Sequence, residues 1–273
     1  MAADRQSPEA IRGWLVRLGH LSFDDFLLLA PPVLASFFIV HPSSLPDWSL
    51  ALNNAPHILL HFRRSVNLQS AIFNLQSPAS AADISAAQQR LVTHFAYELL
   101  RAKAPPLYDA LPWHDWDFSI VARRFPLWKT RFLLAGDGTT VTMCRCRKSA
   151  GVYAVEPDKA IARYVERKAE VEKVRRFRGV NSSLTASLPL PPASADLAIV
   201  GSIPSLNTDN WKLAIHELLR VSANVLLLEN NPLAPPLDDK LLTASGFQPA
   251  SIEARSLGQR RCWWYIQDTR SPA

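Results

Sequence analysis

Only three cysteines occur in the 273 residues, so any disulfide scheme leaves one thiol unpaired. They read as reduced thiols of a cytosol-like compartment, and the cytoplasm is the expected location. Long apolar runs are also lacking. The strongest, Phe26 to Val40, is too short to span a bilayer and is broken by Pro31 and Pro32. A secretory leader is not expected: the first 25 residues carry Asp4, Glu9, Asp24 and Asp25 and no suitable apolar core.

What the chain does have is the composition of a packed protein, with 48% hydrophobic and 20% charged residues. Its net charge of +6 and pI near 9.4 admit a nucleic-acid partner or an acidic substrate without requiring one. The densest basic segment, Arg167 to Arg178, is interrupted by Glu170 and Glu172. That mixture reads as a solvated helix face.

The chain changes character near residue 105. Before it, helices alternate with proline breaks. Ser7 as N-cap and Pro8 at the first helical position open one helix. In the segment from Ala79 to Ala104, Ile84, Ala87, Leu91, Phe95 and Leu99 form one apolar stripe at helical spacing. Between these, Pro42, Pro46 and Pro56 predict short helices and loops. After the break, short apolar runs alternate with helical patterns. Strands are expected at Thr130 to Ala135, Val152 to Glu156, Val174 to Val180, Leu197 to Gly201 and Asn224 to Glu229. Helices are expected at Thr140 to Lys148, Asp158 to Lys173, Thr208 to Val221 and Leu237 to Ser245. Two further strands, within 247–257 and 260–267, have no helix between them and predict an antiparallel hairpin at the sheet edge. This is an α/β pattern: a Rossmann-like, mostly parallel sheet covered on both faces, preceded by a helical domain. The expected division is 1–105 and 106–273.

In such a sheet a ligand lies beyond the carboxyl ends of the strands, beside the first strand-to-helix turn. Ala135, Gly136, Asp137 and Gly138 form that turn, where glycine admits close backbone approach and positive φ. Glu156, at the end of the second strand, is placed to accept hydrogen bonds from both hydroxyls of a ribose. A nicotinamide dinucleotide calls for a third glycine where Val141 stands, and a phosphate loop needs a lysine that this turn lacks. What remains is an adenosine without a pyrophosphate.

With these residues in place, the region from Thr130 to Gln267 resembles the class I S-adenosylmethionine-dependent methyltransferases. "FLLAGDGTT" is similar to the family's first motif and "GVYAVEP" to its second. "SLPLPPASADLAIV", "WKLAIHELLRVSANVLLLEN" and "LLTASGFQPASIE" match later passages in order. The resemblance implies a seven-stranded sheet and S-adenosylmethionine as cofactor. It places Ala135, Gly136, Asp137, Gly138, Glu156, Pro157 and Gly201 at the cofactor, with Asn181, Ser182 and Ser183 beside the adenine. It implies methyl transfer to an O, N or C nucleophile, of a small molecule in the first instance. An RNA methyltransferase and a non-catalytic interaction protein of the same fold are the alternatives. The chain departs from the pattern at Leu134, at Thr140, in "SAN" before the fifth strand, and in having no acid after the third strand.

The cluster Tyr108, Trp113, His114, Asp115 and Trp116 lies just before the first strand. In the resembling enzymes this segment often covers the methyl donor. Tyr108, Trp113 and Trp116 are therefore candidate substrate contacts, able to face a sulfonium through their rings. His114 and Asp115 are candidate catalytic groups. The other reading of the aromatics is an anchor at the domain junction. Cys144 and Cys146, two apart on an expected helix, point to opposite sides, so no metal is expected. Glu217 and Arg220, at i and i+3, read as a tie between their helix and its surroundings.

Overall fold

The computed structural model describes residues 7–29, 33–34, 42–63, 80–136, 139, 142–201, 208–229, 231–233, 236–254 and 258–267. Within the described residues the chain forms two compact units, one up to Tyr108 and the other from Asp109 onward. The expected apolar run from Phe26 to Val40 falls largely outside the described residues.

The first unit is helical. Helix α1 (Pro8–Gly19) starts as the sequence predicts: Ser7 Oγ accepts the Ala10 N–H at 3.2 Å, and Pro8 occupies the first turn, where an N–H would have no partner. Two short helices follow, α2 (Leu45–Asn53) and α3 (Pro56–Arg63). Ser80 and Asp83 then form a reciprocal capping box ahead of α4 (Ala81–His94). The single helix suggested by the long stripe is divided at Phe95 (φ −101°, ψ 21°), after which α5 (Ala96–Lys103) resumes. Packing accounts for the break. Phe95 turns its ring edge-on to Phe26 at 6.0 Å and lies 5.9 Å from Trp48, itself edge-on to Phe26 at 4.8 Å. The stripe survives the division, with Ala87, Leu91, Phe95 and Leu99 all buried.

The second unit begins with helix α6 (Ser119–Arg124) and is built on a seven-stranded sheet. Its strands are β1 (Arg131–Ala135), β2 (Gly151–Val155), β3 (Phe177–Val180), β4 (Leu197–Val200), β5 (Asn224–Leu228), β6 (Gln248–Ala254) and β7 (Gly258–Ile266). The spatial order is β3-β2-β1-β4-β5-β7-β6. The first five strands are mutually parallel; β7 runs antiparallel to both β5 and β6. The central strands β1, β4 and β5 are buried almost throughout, as apolar strands covered on both faces must be. The strand order reverses between β1 and β4, which places the crevice at their carboxyl ends.

Helix α7 (Lys159–Val171) is capped by Asp158, whose Oδ1 accepts from Ala160 and Ile161, and it buries Ile161, Val165 and Ala169. Helix α8 (Thr208–Val221) has the bounds the periodicity predicts, and α9 (Asp239–Ala244) is capped by Asp238. Glu217 and Arg220 of α8 tie the helix to the loop before β4. Glu217 accepts the Leu188 N–H at 2.5 Å, and Arg220 donates to the carbonyls of Leu188 and Leu190 at 3.1 and 2.9 Å.

The segment between β1 and β2 departs from expectation. Within the span expected as helix from Thr140 to Lys148, Met143–Cys146 is a 3₁₀ turn and 147–150 are turn and bend; Thr139, just before it, is helical, and residues 140 and 141 lie outside the described set. The Thr139 hydroxyl donates to the Gly136 carbonyl at 2.9 Å. Cys146 is buried here, as is Cys262 in β7, and neither forms a disulfide.

The hairpin is at the edge as predicted, but β7, the later strand, is the one inserted beside β5. The pairing of β5 with β7 stops at Leu228 and Cys262, while β6 and β7 continue to Ala254 and Gly258. Since β6 runs in the direction of β5, this overhang projects from the carboxyl edge of the sheet.

Candidate functional site

The carboxyl ends of β1, β2 and β4 lie side by side. The Gly201 N–H donates to the Ala135 carbonyl at 3.1 Å, and the Glu156 N–H donates to the Val180 carbonyl at 3.0 Å. Gly136 follows β1 with φ 59°, the left-handed conformation in which a side chain is disfavoured. Its carbonyl receives both the Thr139 N–H at 3.1 Å and the Thr139 hydroxyl at 2.9 Å, closing a tight turn. Asp137 and Gly138 lie outside the described residues.

Glu156 is 2% exposed at the end of β2. One carboxylate oxygen accepts the Asp158 N–H at 3.1 Å, and the other lies 3.5 Å from the Thr139 hydroxyl. That hydroxyl has one proton, and the shorter bond to Gly136 uses it. Thr139 therefore joins the glycine turn to the acid through its position, a link that sequence reasoning did not single out; a buried hydroxyl adjoining the glycines was the available signal.

Glu156 and Asn181 line one cleft of about 210 Å³, whose floor is Ala154, Gly179 and Val180 and whose wall is α7, including Lys159 and Arg163. Lys159 and Arg163 are four apart on a helix that starts beside the acid, and this is how the sequence could have shown them. Gly179 belongs to this floor: a Cβ there would come within 3.1 Å of Glu166 Oε1. Pro157 is half-buried between the acid and the Asp158 cap. Ser182 and Ser183 form a turn, with Ser182 N–H bonded to Val180 O at 2.9 Å and the Ser183 hydroxyl 2.9 Å from that of Thr185. Neither serine lines the cleft.

The aromatic cluster is divided. Tyr108 belongs to the helical unit and is fully buried, edge-on to Tyr97 at 4.9 Å, with the two hydroxyls 3.0 Å apart. Trp113 and His114 are each 2% exposed, their rings 6.3 Å apart. Trp116 and Asp115 do line an opening: a cleft of about 570 Å³ shared with Asp117, Phe118, Ser119, Arg145 and Glu253. The Asp117 N–H donates to the Glu253 carbonyl at 2.6 Å, which fastens this segment to the overhanging hairpin at the carboxyl edge. Arg145 organises the cleft. It donates to the Trp116 carbonyl, pairs with Asp115 at 3.2 Å and lies over the Trp116 ring at 5.2 Å. The Ser119 hydroxyl and N–H hold the Asp117 carboxyl below the usual range. Among the described residues no group of three or more metal-ligating side chains gathers.

Strand order and the reversed last strand decide the architecture. The fold is class I methyltransferase-like. No protein-family model matches the chain, and no curated protein does. Solved structures match part of it. A SAM-dependent methyltransferase from Aquifex aeolicus is 18% identical over 55% of this chain and 88% of its own, with a TM-score of 0.41. Magnesium protoporphyrin IX methyltransferase from Synechocystis, with bound SAM, is 15% identical over 54% and 75%, with a TM-score of 0.43. A putative methyltransferase from Escherichia coli is 16% identical over 55% and 83%, at 0.40. These are likenesses of fold, and the cofactor and acceptor of each belong to that protein. Among the described residues no helix is long and apolar enough to cross a membrane.

Proposed function

We propose that the second unit is an S-adenosylmethionine-dependent methyltransferase. The observation that carries this is Glu156: a carboxylate almost fully buried at the end of β2, approached by Thr139 of the turn that begins at left-handed Gly136, and opening on a cleft that also holds Asn181. A carboxylate offers about four acceptor sites, which suits the two hydroxyls of a ribose. Asn181 is placed for an adenine edge; Ala135, Gly136 and Gly201, which do not line this cleft, are the strand-end positions open to close backbone approach in this reading. The 210 Å³ cleft is smaller than the roughly 300–1,000 Å³ usual for a whole small ligand, so it fits the nucleoside end alone.

The chemistry is in-line transfer of the sulfonium methyl to an O, N or C nucleophile, with rate gained chiefly from positioning. The larger cleft at Trp116 and Asp115 is the acceptor site in this reading. Its ring walls suit a small molecule, and Asp115 stands where a nucleophile's proton can be taken. A non-catalytic descendant of the fold is the second reading, favoured by the absence of an acid after β3, where Asn181, Ser182 and Ser183 stand.

Calorimetric titration with S-adenosylmethionine and its demethylated product tests the proposal. Micromolar binding by the native chain, lost in Glu156→Ala, is the expected result. Absence of binding to a folded sample refutes it and leaves the second reading.

A further inference from the structure

The amino edge of the sheet, opposite the proposed site, has an organisation of its own. Because β1, β2 and β3 are parallel neighbours, the segments that lead into them emerge side by side. Backbone bonds fix the row: the Ala150 N–H donates to the Thr130 carbonyl at 3.0 Å, and the Val152 N–H to the Arg176 carbonyl at 3.3 Å. Adjacent strands are about 4.8 Å apart, so the three entry points span about 10 Å.

All three segments are basic. Lys129 precedes β1, Arg147 and Lys148 precede β2, and Lys173, Arg175 and Arg176 precede β3. Each is solvent-exposed. Among the described residues none of these six forms an ion pair, whereas Arg131, at the border of the row, is neutralised by Asp196 at 2.8 Å. Two acids, Glu170 and Glu172, lie at the end of α7 beside the row and leave a large excess of positive charge.

Two further features point the same way. Trp128 stands in the first segment with 68% of its surface exposed, and Lys129 lies 4.5 Å from its ring centre. Lys173 and Arg176 hold φ of 54° and 49°, where glycine is the unstrained choice. Cations are thus present even where backbone geometry favours a residue without a side chain.

We infer that this edge is a docking surface for RNA, with the cations contacting phosphates and Trp128 stacking on an unpaired base. Clustered, unneutralised Arg and Lys supply the sequence-independent part of nucleic-acid binding, and an exposed indole supplies a platform that tolerates any base. The five-residue strands put this row about 16 Å from the carboxyl edge, so the docked RNA is a tether and not the methyl acceptor. The inference does not depend on the methyl-transfer reading.

Fluorescence anisotropy of a labelled single-stranded RNA and a labelled RNA duplex, with the full chain over a salt series, tests it. Contact with about five phosphates gives a slope of about −3.5 in log affinity against log salt for the single strand, so raising salt from about 50 to 200 mM weakens binding about 100-fold. Arg147→Ala, Arg175→Ala and Arg176→Ala together are expected to reduce the slope by about 2. Trp128→Ala is expected to weaken the single strand about fivefold or more while sparing the duplex. Circular dichroism checks that each variant is folded, and Lys148→Ala with Lys173→Ala is a second, independent probe of the same row. Unchanged S-adenosylmethionine titration in these variants separates this surface from the Glu156 site. No RNA binding at about 50 mM salt overturns the inference. So does binding that ignores both sets of substitutions, or attachment to phosphatidylserine vesicles without attachment to RNA.

Discussion

Replacing Glu217 by alanine isolates the contribution of one helix-to-loop tie. Glu217 is 7% exposed and accepts three bonds: the Leu188 N–H at 2.5 Å and two from Arg220 at 2.8 and 2.5 Å. Hydrogen bonds to a charged group contribute about 1.5–3 kcal/mol each, and removing one member of a buried pair costs about 3–5 kcal/mol. The Arg220 side chain is 27% exposed, so water re-solvates part of the orphaned guanidinium, and its bonds to Leu188 and Leu190 carbonyls remain. The expected loss is therefore about 2–4 kcal/mol, below the full buried-pair figure. At a urea slope of about 3 kcal/mol/M this lowers the unfolding midpoint by about 1 M. Glu217→Gln, which keeps the shape and loses the charge, should fall between. The pH dependence is a second reading of the same tie. The Arg220 hydrogen bonds, opposed by desolvation and assisted by the Leu188 N–H, hold the Glu217 carboxyl below the usual glutamate range. A depressed folded pKa means that the stabilisation is present above the unfolded value of about 4.3 and is lost as pH falls toward the lowered one. The gap between native chain and Glu217→Gln should narrow on acidification below about pH 4. A midpoint unchanged in Glu217→Ala, or a gap that widens in acid, refutes the reasoning.

The other expectations are more local. Burial, with a lesser contribution from the negative charge of Glu229, pushes the Cys262 thiol up to about 12. Iodoacetamide at about pH 8 should leave Cys262 unmodified in the folded chain, by peptide mass spectrometry, and alkylate it in urea; alkylation without denaturant contradicts its placement. Gly246 follows α9 with φ 85°, and a Cβ there would meet Tyr265 at 3.3 Å. Gly246→Ala should therefore cost about 1–2 kcal/mol in urea unfolding, and a neutral result would mean that the turn relaxes. These stand beside the Glu156 titration and the salt series on RNA.

Much of the fold was legible because its signals are local. Ser7, Asp158 and Asp238 mark helix starts through bonds to N–H groups two or three residues away. Buried strands in a parallel sheet are continuous apolar runs, so β1, β4 and β5 are readable without knowing their partners. The same applies to Glu156, whose distance from the glycine turn is set by one strand-turn-strand unit. Where the sequence misled, a longer-range or competing contact decided. Phe95 breaks a continuous stripe because Phe26 and Trp48 receive its ring. Within the span from Thr140 to Lys148 that matches a helical template, Met143–Cys146 is a 3₁₀ turn.

Tertiary structure alone decided what lies beside what. Two strands without a helix between them predict a hairpin, but only pairing shows that β7 sits next to β5 and leaves β6 outside. That choice projects the hairpin past the carboxyl edge and brings Glu253 to Asp117, far apart in the sequence, in one cleft. The basic row is the same kind of fact. Lys129, Arg147 and Arg176 are far apart in sequence and come to one edge because parallel strands return every connection to the same side. Caps and apolar periods act over a few residues and are written in the chain; strand order is set by burying the whole sheet at once, and no single segment contains it.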